Sequence, residues 1–556
     1  MKAFGYLVKT LVLLLSAVYC TAWPHKLRSP VPTFADSYVV RGVLLLPYAE
    51  IKEPFVGYYD KTARKSRIDY YGDLMQTYQR EDLGNYGVSY KVAYMPDKLG
   101  NPIHTCFEVD GNENNTVVIQ SILPDLTNFT FVKSVACTSQ NGIVTSNTDC
   151  ELWTYEDSYG NKVNRYYMYI RKSDRSPVHY IMKGYNTLLG SHYDKYELVY
   201  TGYEPGNVSD SDFEVHTAGA CRSFPGPGVQ EMVLNNPMQE FINKVDGHTH
   251  AAFDDFTSLH EKKYSSQKEQ ELRKTIFRQN YRFVNSMNRA GLSYYLKINH
   301  LADYTDQEIH RIRGRLPSKG YNGGKPFPKE EFSNDLPDNL DWRLYGAVTQ
   351  VKDQAVCGSC WSFGTTGTIE GAYFLKTSNL VRLSQQQLID CSWNFQNNGC
   401  DGGEDFRAYQ YIMDAGGLAS EDDYGSYLGV DGKCHDKNVT KTAKISGYVN
   451  VTSGDSLALR QAIAKKGPIS VSIDASHKSF SFYSHGVYYD SECKNGPDDL
   501  DHSVLAVGYG VMNDEPYWIV KNSWSTYWGN DGYVLMSQKD NNCGVETSPT
   551  YVIMAD

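Results

Sequence analysis

The hydrophobic pattern of the first part of the chain is that of strands. Between Ser37 and Pro205, short runs rich in Tyr, Val and Ile alternate with polar or Gly/Pro-containing turns. This pattern predicts a mostly antiparallel sheet. The runs are YVVRGVLLLPY, FVGYYD, SRIDYYG, VVIQSILP, RYYMYIRK, VHYIMKGY and KYELVYTGY. The alternating tyrosines could form a binding face, although packing on a half-buried sheet is the more common role.

The pattern becomes helical further along the chain. The segment RSFPGPG, residues 222–228, is too rich in Pro and Gly for a helix or strand and predicts a boundary. Within residues 269–288, positions on one side of a long helix recur at spacings of three and four. These positions are Glu269, Arg273, Ile276, Phe277, Asn280, Val284 and Asn288. Residues 313–332 combine Gly, Pro and basic residues, which predicts an exposed, mobile strip open to proteolysis.

A second helix is predicted to begin at or near Cys360. Core-type positions recur there at helical spacing: Phe363, Thr366, Ile369 and Tyr373. The thiolate is favoured at the N-terminus of a helix, and a nearby protonated imidazole would lower the thiol pKa further. His502 starts an apolar, strand-like run, and Asn522 lies in VKNSWSTYWGNDGY. A lone histidine at such a position is more often structural, but the three motifs together favour a nucleophile, a base and an orienting amide.

Length and charge limit the classes of protein to consider. The 556 residues exceed one ordinary hydrophobic core, so we expect two or three folded units. The net charge of -11 gives no reason to expect nucleic acid or an anionic membrane as a partner. Residues 1–22 combine two lysines with a short apolar run and small residues, which predicts a signal peptide and not a membrane span. In the secretory pathway, the Asn-x-Ser/Thr sites become glycosylation candidates: Asn114, Asn128, Asn207, Asn438 and Asn450.

The cysteine count is informative because the predicted compartment is oxidising. Of the 12 cysteines, Cys20 lies in the predicted signal peptide, which leaves an odd number. One thiol is then left unpaired. It is either a chance feature, a thiol that pairs with another chain, or a nucleophile. The strand-rich region holds enough cysteines for two disulfides, whose pairing the sequence leaves open: Cys106, Cys137, Cys150 and Cys221. The CGSC motif allows a redox dithiol, half of a zinc site, or a structural cysteine beside a catalytic one.

From about Leu336 onward, the chain resembles the papain-like, cathepsin L-type cysteine peptidases. The matching motifs are DWR, VKDQ, CGSCW, LSQQQLIDCS and GCDGG, together with the His and Asn motifs. The resemblance implies an α+β fold with a two-lobed catalytic domain, one lobe helical and one a β-barrel. It implies hydrolysis of protein and peptide substrates without a metal or other cofactor. No His-His pair lies between Cys400 and Cys434, where an occluding loop of the cathepsin B type carries one, and this favours an endopeptidase.

Matching by position assigns roles to the site residues. Cys360 corresponds to the nucleophile, His502 to the general base and later acid, and Asn522 to the group that orients the imidazole. Gln354 corresponds to the side chain that donates to the oxyanion alongside the Cys360 N–H, and Trp524 to the tryptophan that shields the His–Asn contact. The resemblance also implies the disulfides Cys357–Cys400, Cys391–Cys434 and Cys493–Cys543. With those cysteines paired, Cys360 stays free and the redox and zinc readings lose their ligands.

The resemblance also implies a set of substrate-binding residues: Gly402, Gly403, Glu404, Asp405, Ser472, Leu500, Asp501, Ser503, Trp524 and Ser548. Relatives carry apolar residues where Glu404 and Asp405 fall. We therefore hypothesise that basic or polar side chains are accepted at the second residue before the scissile bond. The alternative is that both carboxylates face solvent.

Six of the helical positions in residues 269–288 match the interspersed motif of cathepsin L-type inhibitory propeptides, with Val284 where Ile is usual: Glu269, Arg273, Phe277, Asn280, Val284 and Asn288. KINHLAD, residues 297–303, resembles the second propeptide motif, with Lys297 and Leu301 as departures. This implies a zymogen whose own propeptide blocks the cleft until residues 313–335 are cut. We predict four parts: signal peptide 1–22, Tyr-rich N-terminal β domain 23–222, linker and propeptide 223–335, and peptidase domain 336–556.

The order of these parts resembles the two-chain cysteine proteinases of insect haemocytes. That likeness implies cleavage into an N-terminal and a catalytic fragment, with the N-terminal fragment as a candidate partner. It also implies a place in the digestion of foreign or tissue protein in blood cells. The predicted secretory route leaves lysosomes, granules and the outside of the cell open as the place of action. The rival reading is a secreted binding protein, in which the β domain captures a lipid, glycan or protein and the peptidase-like part is a scaffold. A third reading has the β domain target an active protease.

Overall fold

The computed structural model describes residues 30–96, 102–138, 144–216, 219–223, 236–328 and 335–556. The predicted signal peptide lies outside the described residues, as do most of the Pro/Gly-rich boundary and the end of the predicted proteolytic strip. No helix in the described part of the chain is long and apolar enough to cross a membrane.

The first part of the chain folds as one twelve-stranded sheet. Its strands are β1 Ser37–Leu46, β2 Ile51–Asp60, β3 Lys65–Tyr70, β4 Met75–Arg80, β5 Val88–Pro96, β6 Pro102–Asp110, β7 Thr130–Thr138, β8 Val144–Tyr159, β9 Lys162–Arg171, β10 Pro177–Asn186, β11 Ser191–Pro205 and β12 Arg222–Ser223. The spatial order is β12-β6-β5-β4-β3-β2-β1-β11-β10-β9-β8-β7. Neighbouring strands are antiparallel except β12 and β6, so the predicted antiparallel sheet is confirmed.

Tyrosine rings from successive strands pack against one another along this sheet. The ring centroids are 5.7 Å apart for Tyr155 and Tyr166, 6.1 Å for Tyr166 and Tyr180, and 6.3 Å for Tyr180 and Tyr196. Tyr196 also packs on Phe241, whose carbonyl oxygen accepts a hydrogen bond from the Tyr196 hydroxyl at 2.9 Å. This part of the tyrosine pattern is therefore a packing surface, the commoner of the two roles considered.

The strand predicted for VVIQSILP, residues 117–124, is wrong. This segment is irregular, yet Ile122 is fully buried. Ile122 lies against the sheet at Gly57, where a Cβ would stand 2.5 Å from the Ile122 Cδ1 atom. Its apolar residues cover the sheet and do not pair within it, and a short apolar run does not distinguish these two outcomes.

Among the described residues, four helices follow the sheet: α1 Met238–Ile242, α2 Gly247–Leu259, α3 Gln267–Met287 and α4 Asp306–Arg311. Helix α3 confirms the helix predicted for residues 269–288. The Ser266 side chain caps its N-terminus by accepting a hydrogen bond from the Glu269 N–H. Helix α3 packs on the first sheet, where Arg282 donates to Asp194 of β11 at 2.7 Å.

The C-terminal region combines six helices with a second sheet, counted over the described residues. The helices are α5 Cys360–Thr377, α6 Gln385–Cys391, α7 Asp405–Asp414, α8 Glu421–Tyr424, α9 Ser456–Lys466 and α10 Lys478–Ser481. The strands are β13 Tyr294–Leu296, β14 Lys325–Pro326, β15 Leu340–Asp341, β16 Ile445–Asn450, β17 Ile469–Ile473, β18 Tyr483–Tyr488, β19 His502–Met512, β20 Glu515–Lys521, β21 Tyr533–Ser537 and β22 Thr550–Met554. Their order is β13-β18-β21-β20-β19-β17-β22-β16-β14, with β15 paired to β19.

Helix α5 lies between the helical cluster and the second sheet. One face packs in an apolar core with α6 and α7, and the other faces β19. A Cβ at Gly367 would stand 2.6 Å from the Leu505 side chain of β19. The absence of a side chain at Gly367 lets the helix that begins at Cys360 approach the strand that begins at His502.

The strip predicted to be exposed, residues 313–332, is exposed only in part. Residues 316–321 are exposed, but Gly314 is buried and the flanking Arg313 and Arg315 side chains are only 11% and 9% exposed. Strand β14 pairs with β16. The prediction is therefore wrong for residues 313–315, because their backbone and side chains find partners in the C-terminal region that composition does not reveal.

Five disulfides are present in the described residues: Cys106–Cys221, Cys137–Cys150, Cys357–Cys400, Cys391–Cys434 and Cys493–Cys543. Cys360 is the free cysteine among these residues. Two clusters have the residue types of a metal site: Cys391, Cys434 and Asp436, and Asp474, His477 and Cys493. Their sulfurs are in disulfides and are not thiolate ligands.

Candidate active site

Cys360 is the first residue of α5, so its sulfur lies at the positive end of the helix dipole. The turn before it is held by the Cys357–Cys400 disulfide. The Gly358 N–H also donates to the Cys400 carbonyl oxygen at 2.8 Å. The first cysteine of the CGSC motif therefore fixes the turn that presents the second, whose side chain is fully buried.

His502 and Asn522 meet at the ends of neighbouring strands. His502 begins β19, Asn522 directly follows β20, and the His502 Nε2 lies 2.8 Å from the Asn522 Oδ1. Because an amide oxygen only accepts, Nε2 carries the proton and Nδ1 is free to accept one. Nδ1 has no hydrogen-bond partner in the described part of the chain. The buried Trp524 ring lies 4.7 Å from the His502 ring and screens the contact from water.

The sulfur and the imidazole come together because α5 packs against the start of β19. The Ser503 N–H lies 3.5 Å from the Cys360 Sγ. Ser503 directly follows His502, so the structure brings the sequence-predicted nucleophile, base and orienting amide to one place.

Gln354 is buried near the turn that precedes α5. Its Nε2 donates to the carbonyl oxygens of Ile312 at 2.9 Å and Cys357 at 2.7 Å. Its Oε1 accepts a hydrogen bond from the Ser523 hydroxyl at 2.7 Å. Ser523 therefore fixes the orientation of the amide, and the nitrogen faces the cleft as a donor for a carbonyl oxygen or an oxyanion.

The segment that follows α4 lies across the cleft and covers the sulfur. The Gly314 N–H lies 3.3 Å from the Cys360 Sγ. Beyond it, the Leu316 N–H donates to the Gly403 carbonyl oxygen at 3.1 Å, and the Gly403 N–H donates to the Gly314 carbonyl oxygen at 2.9 Å. The cleft therefore holds an extended peptide backbone directly over the candidate nucleophile.

Residue 314 has to be a glycine for this backbone to approach so closely. A Cβ at Gly314 would stand 1.8 Å from the Gly358 carbonyl oxygen, which is far inside contact distance. The missing side chain is thus what allows the Gly314 N–H to reach the sulfur.

The covered site holds both reactive groups in their neutral forms. Burial raises the pKa of the Cys360 thiol to about 11, although backbone N–H groups oppose this change. Burial lowers the pKa of His502 to about 4; the hydrogen bond to Asn522 opposes it, and the positive charge of Arg313 adds to it. The thiolate expected from the helix N-terminus is therefore not the favoured form in the covered site, because burial outweighs the dipole.

The two carboxylates of the predicted substrate pocket make different contacts. Glu404 is 4% exposed and lies 3.4 Å from the Arg315 Nη2 and 3.5 Å from the Arg407 Nη2. Asp405 accepts hydrogen bonds from one hydroxyl of β17 and one of β22. The alternative in which both carboxylates face solvent is wrong for Glu404.

Three further predicted substrate-binding residues contact the covering segment. The Leu500 carbonyl oxygen accepts from Arg315 at 2.8 Å, and the Asp501 carboxylate accepts from Arg313 at 2.9 Å. Gly402 lies beneath Leu316, where a Cβ would stand 2.8 Å from the leucine side chain.

The remaining predicted pocket residues lie on the second sheet or beside it. Ser472 and Ser503 are paired across β17 and β19. Ser548 is half-buried and lies just before β22, whose first residue, Thr550, pairs with Ser470 of β17. The structure thus places these serines on adjoining strands or next to them.

The candidate glycosylation sites differ in exposure. Asn450 is half-buried, and its side-chain amide exchanges hydrogen bonds of 2.7 and 3.0 Å with Asn322. A glycan there would displace the residues near β14. The other four are exposed: Asn114, Asn128, Asn207 and Asn438.

Sequence reasoning missed the residues that seat the covering segment, namely Arg313, Gly314 and Arg315. The available signal was a glycine between two arginines directly after a helical pattern, but its composition suggested exposure. Ser523, which orients Gln354, was also missed, although it directly follows the predicted asparagine.

Comparison with protein families matches two parts of the chain, one on each side of the covering segment. The model described as the papain family cysteine protease matches residues 336–553. The model described as the cathepsin propeptide inhibitor domain (I29) matches residues 253–309. The first contains Cys360, His502, Asn522 and the predicted pocket, and the second contains α3.

Relatives and solved structures agree with this assignment. A cathepsin L-like peptidase of Aedes aegypti is 44% identical over 313 residues, which cover 54% of this chain and 91% of that protein. Digestive cysteine proteinase 2 of Homarus americanus is 40% identical over 309 residues, 54% of this chain and 94% of that protein. The digestive procathepsin L2 proteinase of the Tenebrio molitor larval midgut matches with a TM-score of 0.51 at 34% identity, over 55% of this chain and 99% of that chain.

These matches confirm the predicted α+β fold with papain-like architecture, and they extend over the propeptide as well as the catalytic domain. Neither family model reaches the twelve-stranded sheet. The chain belongs to the papain family of cysteine proteases, as a cathepsin L-like endopeptidase that carries its own inhibitory propeptide.

Proposed function

We propose that this chain is a secretory-pathway zymogen whose peptidase reaction uses Cys360 as nucleophile, His502 as base and acid, and Asn522 as orienting group. The observation that carries the proposal is the position of a free sulfur at a helix N-terminus, beside an imidazole whose far nitrogen is held by an amide at 2.8 Å. The peptide backbone that lies over the sulfur supports protein and peptide substrates.

The first half of the reaction forms an acyl-enzyme. In the uncovered site, the Cys360 thiol gives its proton to the His502 Nδ1, and the sulfur attacks the substrate carbonyl carbon. The carbonyl oxygen becomes an oxyanion that accepts from the Gln354 Nε2 and the Cys360 N–H. This role of Gln354 is supported by its present contact, because its Nε2 already donates to a peptide carbonyl, that of Ile312.

The remaining steps complete the acyl-enzyme and then regenerate the thiol. The tetrahedral intermediate collapses, the C–N bond breaks, and His502 gives its proton to the leaving amine, which leaves a thioester on Cys360. Water then loses a proton to His502 and attacks the thioester carbon. The C–S bond breaks, the carboxylic acid is released, and the Cys360 sulfur takes the proton back from His502. Asn522 keeps the imidazole in one orientation for both proton transfers.

Removal of the covering segment also changes the electrostatics of the site. Arg313 leaves with the segment, so its positive charge no longer lowers the pKa of His502. Water reaches both groups, so the thiol pKa falls and the imidazole pKa rises, and the thiolate–imidazolium pair becomes favourable. The propeptide thus inhibits by blocking the cleft and by holding the site neutral.

We extend the proposal to the organisation and location of the protein. It comprises a signal peptide (1–22), a β domain (23–222), a linker and propeptide (223–335) and a peptidase domain (336–556), and the cleaved N-terminal fragment is a candidate partner. The protein acts in lysosomes, in granules or outside the cell. Five disulfides support an oxidising compartment, and four exposed Asn-x-Ser/Thr sites support glycosylation there.

Peptide hydrolysis by active-site variants tests the proposal. The purified chain is acidified, the fragment N-termini are determined, and hydrolysis is compared among wild type, Cys360→Ala and the surface control Asp422→Asn. Asp422 is 89% exposed. We expect Cys360→Ala to abolish hydrolysis with an unchanged circular dichroism spectrum. Hydrolysis equal to wild type would refute the mechanism, and a folded wild type without hydrolysis would favour the rival binding-protein reading.

A further inference from the structure

The side chain of Arg315 occupies a pocket of the peptidase domain beside Glu404. Its Nη2 lies 3.4 Å from the Glu404 Oε1, and its Nη1 donates to the carbonyl oxygens of Leu500 at 2.8 Å and Pro497 at 3.1 Å. The Arg315 side chain is 9% exposed. One carboxylate and two carbonyl oxygens therefore surround a nearly buried guanidinium. We name this space, formed by Glu404, Leu500 and Pro497, the acyl-side pocket.

The backbone contacts locate this pocket relative to the chemistry. The Gly403 N–H and carbonyl oxygen bond to residues 314 and 316, so Arg315 lies between two hydrogen bonds to a single residue. The Gly314 N–H contacts the Cys360 Sγ one residue away. An extended substrate bonded to Gly403 would direct the side chain of the bonded residue into the space that Arg315 fills, whichever way the strand runs.

We infer that the acyl-side pocket selects arginine at the second residue before the scissile bond, with Glu404 as the specificity-determining side chain. The inference rests on the proposed function, since it names the substrate class of that same site. In the zymogen, Arg315 holds the position that a substrate arginine takes in the processed enzyme.

The hydrogen-bonding state of Glu404 supports this selection. Its Oε1 faces Arg315 and accepts from the Ser318 N–H at 3.3 Å, and both partners leave with the propeptide. Its Oε2 has no hydrogen-bond partner among the described residues. Release of the propeptide therefore removes the Ser318 N–H that donates to Glu404 and the Arg315 guanidinium, which is the closer of its two cations. A substrate guanidinium restores a cation at this position.

The two carbonyl oxygens distinguish arginine from other side chains. A leucine or phenylalanine would leave the carbonyls of Leu500 and Pro497 without a donor from the substrate. A lysine carries one ammonium, whereas the planar guanidinium presents several N–H groups that face the carboxylate and both carbonyls together. The expected order is arginine, then lysine, then apolar residues.

Two neighbouring charges set the limits of the preference. Arg407 lies 3.5 Å from the other Glu404 oxygen, so it neutralises part of the charge that a substrate cation meets. Asp405 is bonded to hydroxyls of β17 and β22 and makes no ion pair with Arg315 at its present position. Selectivity therefore depends on Glu404.

A peptide panel with the acid-processed enzyme tests the inference. The peptides carry Arg, Lys, Leu or Phe at the second residue before a fluorogenic scissile bond, and kcat/KM is normalised to active sites counted with an epoxide inhibitor. The variants are Glu404→Leu and the closer replacement Glu404→Gln, with Asp422→Asn as the matched surface carboxylate. We expect the Arg-to-Leu ratio of wild type to exceed one. We expect both Glu404 variants to lower this ratio about tenfold or more, because the pocket loses its anion, and Asp422→Asn to keep it.

Each outcome has a separate meaning. A wild-type preference for Leu or Phe, or a ratio that neither Glu404 variant moves, overturns the inference while the proposed peptidase function stands. Absence of any hydrolysis that depends on Cys360 overturns the proposed function and the inference with it.

The zymogen gives a second readout that does not require peptide turnover. Epoxide labelling of uncut Arg315→Ala should be faster than that of Arg315→Lys, and equal rates would count against the pocket.

Discussion

Arg289 makes two hydrogen bonds, of 2.6 and 2.8 Å, to the fully buried carboxylate of Glu53. Arg289 lies just after helix α3 of the propeptide region, and Glu53 lies in β2 of the N-terminal sheet. A second buried contact joins the same two parts, because Arg282 of α3 donates to Asp194 of β11 at 2.7 and 2.9 Å. The sheet that the family models do not cover is therefore a platform on which the inhibitory helix is held.

Glu53→Gln tests this platform. It removes the charge that balances Arg289, which is 13% exposed, so it leaves a nearly buried cation unpaired. We expect the unfolding transition of the sheet to lose about 3–5 kcal/mol, measured by urea denaturation of the uncut Cys360→Ala chain. The control is Glu204→Gln, whose partner Arg41 is 45% exposed; because solvent screens this pair, the urea midpoint should stay close to that of the parent chain. Equal effects of the two substitutions would contradict the platform role.

Gly314→Ala should release the zymogen without cleavage. The alanine methyl group would overlap the Gly358 carbonyl oxygen, so the backbone over Cys360 has to move away. We expect the uncut variant to be labelled by an epoxide inhibitor at neutral pH at least about tenfold faster than wild type. Labelling is followed on the full-length band of a gel. Gly247→Ala, where a Cβ meets nothing within 4 Å, is the control. A labelling rate equal to that of the control would show that the backbone over Cys360 stays in place with a side chain at residue 314.

Acid should loosen the propeptide through His300. Burial lowers the pKa of His300 to about 3 from an ordinary value of 6.5, and the charges of Lys262 and His260 lower it further. The unfolded chain binds a proton at His300 more readily than the folded propeptide does. The stability that neutral His300 gives the folded propeptide is therefore complete above about pH 6.5 and is lost as the pH falls from there toward 3. The His300 and His260 rings lie 6.1 and 4.9 Å from the Tyr527 ring of the peptidase domain, so protonation acts at the interface.

His300→Gln removes this proton-linked contribution. We expect the pH of half-maximal processing to shift downward and its pH dependence to become shallower, measured by gel over a pH series. His310→Gln, at an exposed position of α4, is the matched control. An unchanged processing midpoint in His300→Gln would assign the acid response to other groups.

Gln354→Ala should lower kcat and change KM little. In the proposed mechanism this side chain donates to the oxyanion that forms in the transition state, and loss of one such donor costs about 10²–10³-fold in kcat. Steady-state kinetics of the processed variant provide the measurement, and exposed Gln350→Ala provides the control. A loss of less than about threefold would remove Gln354 from the oxyanion site.

Local patterns predicted the parts of the fold that local sequence specifies. Helix α3 was predictable because its positions repeat at helical spacing, and Cys360 was recognisable because the CGSC motif precedes a second helical repeat. The apolar run at 117–124 was misread because a segment that covers a sheet and a strand within the sheet have the same composition.

Long-range contacts were outside the reach of such patterns. Glu53 and Arg289 are 236 residues apart, and no local signal links a carboxylate in one strand to a guanidinium after a distant helix. The seating of Gly314 depends on the close approach of two backbones, which becomes visible only when the Gly358 turn is in place. Composition alone therefore assigned this segment to solvent.

The decisive experiment for the Cys360 mechanism maps an epoxide label on the protein before and after acid processing. Labelled protein is digested without reduction, and every cysteine-containing peptide is identified by mass spectrometry. The proposed mechanism predicts one label, on Cys360, in the processed enzyme and almost none in the uncut chain. A processed enzyme that stays unlabelled, or one in which Cys360 is found in a disulfide, would contradict it.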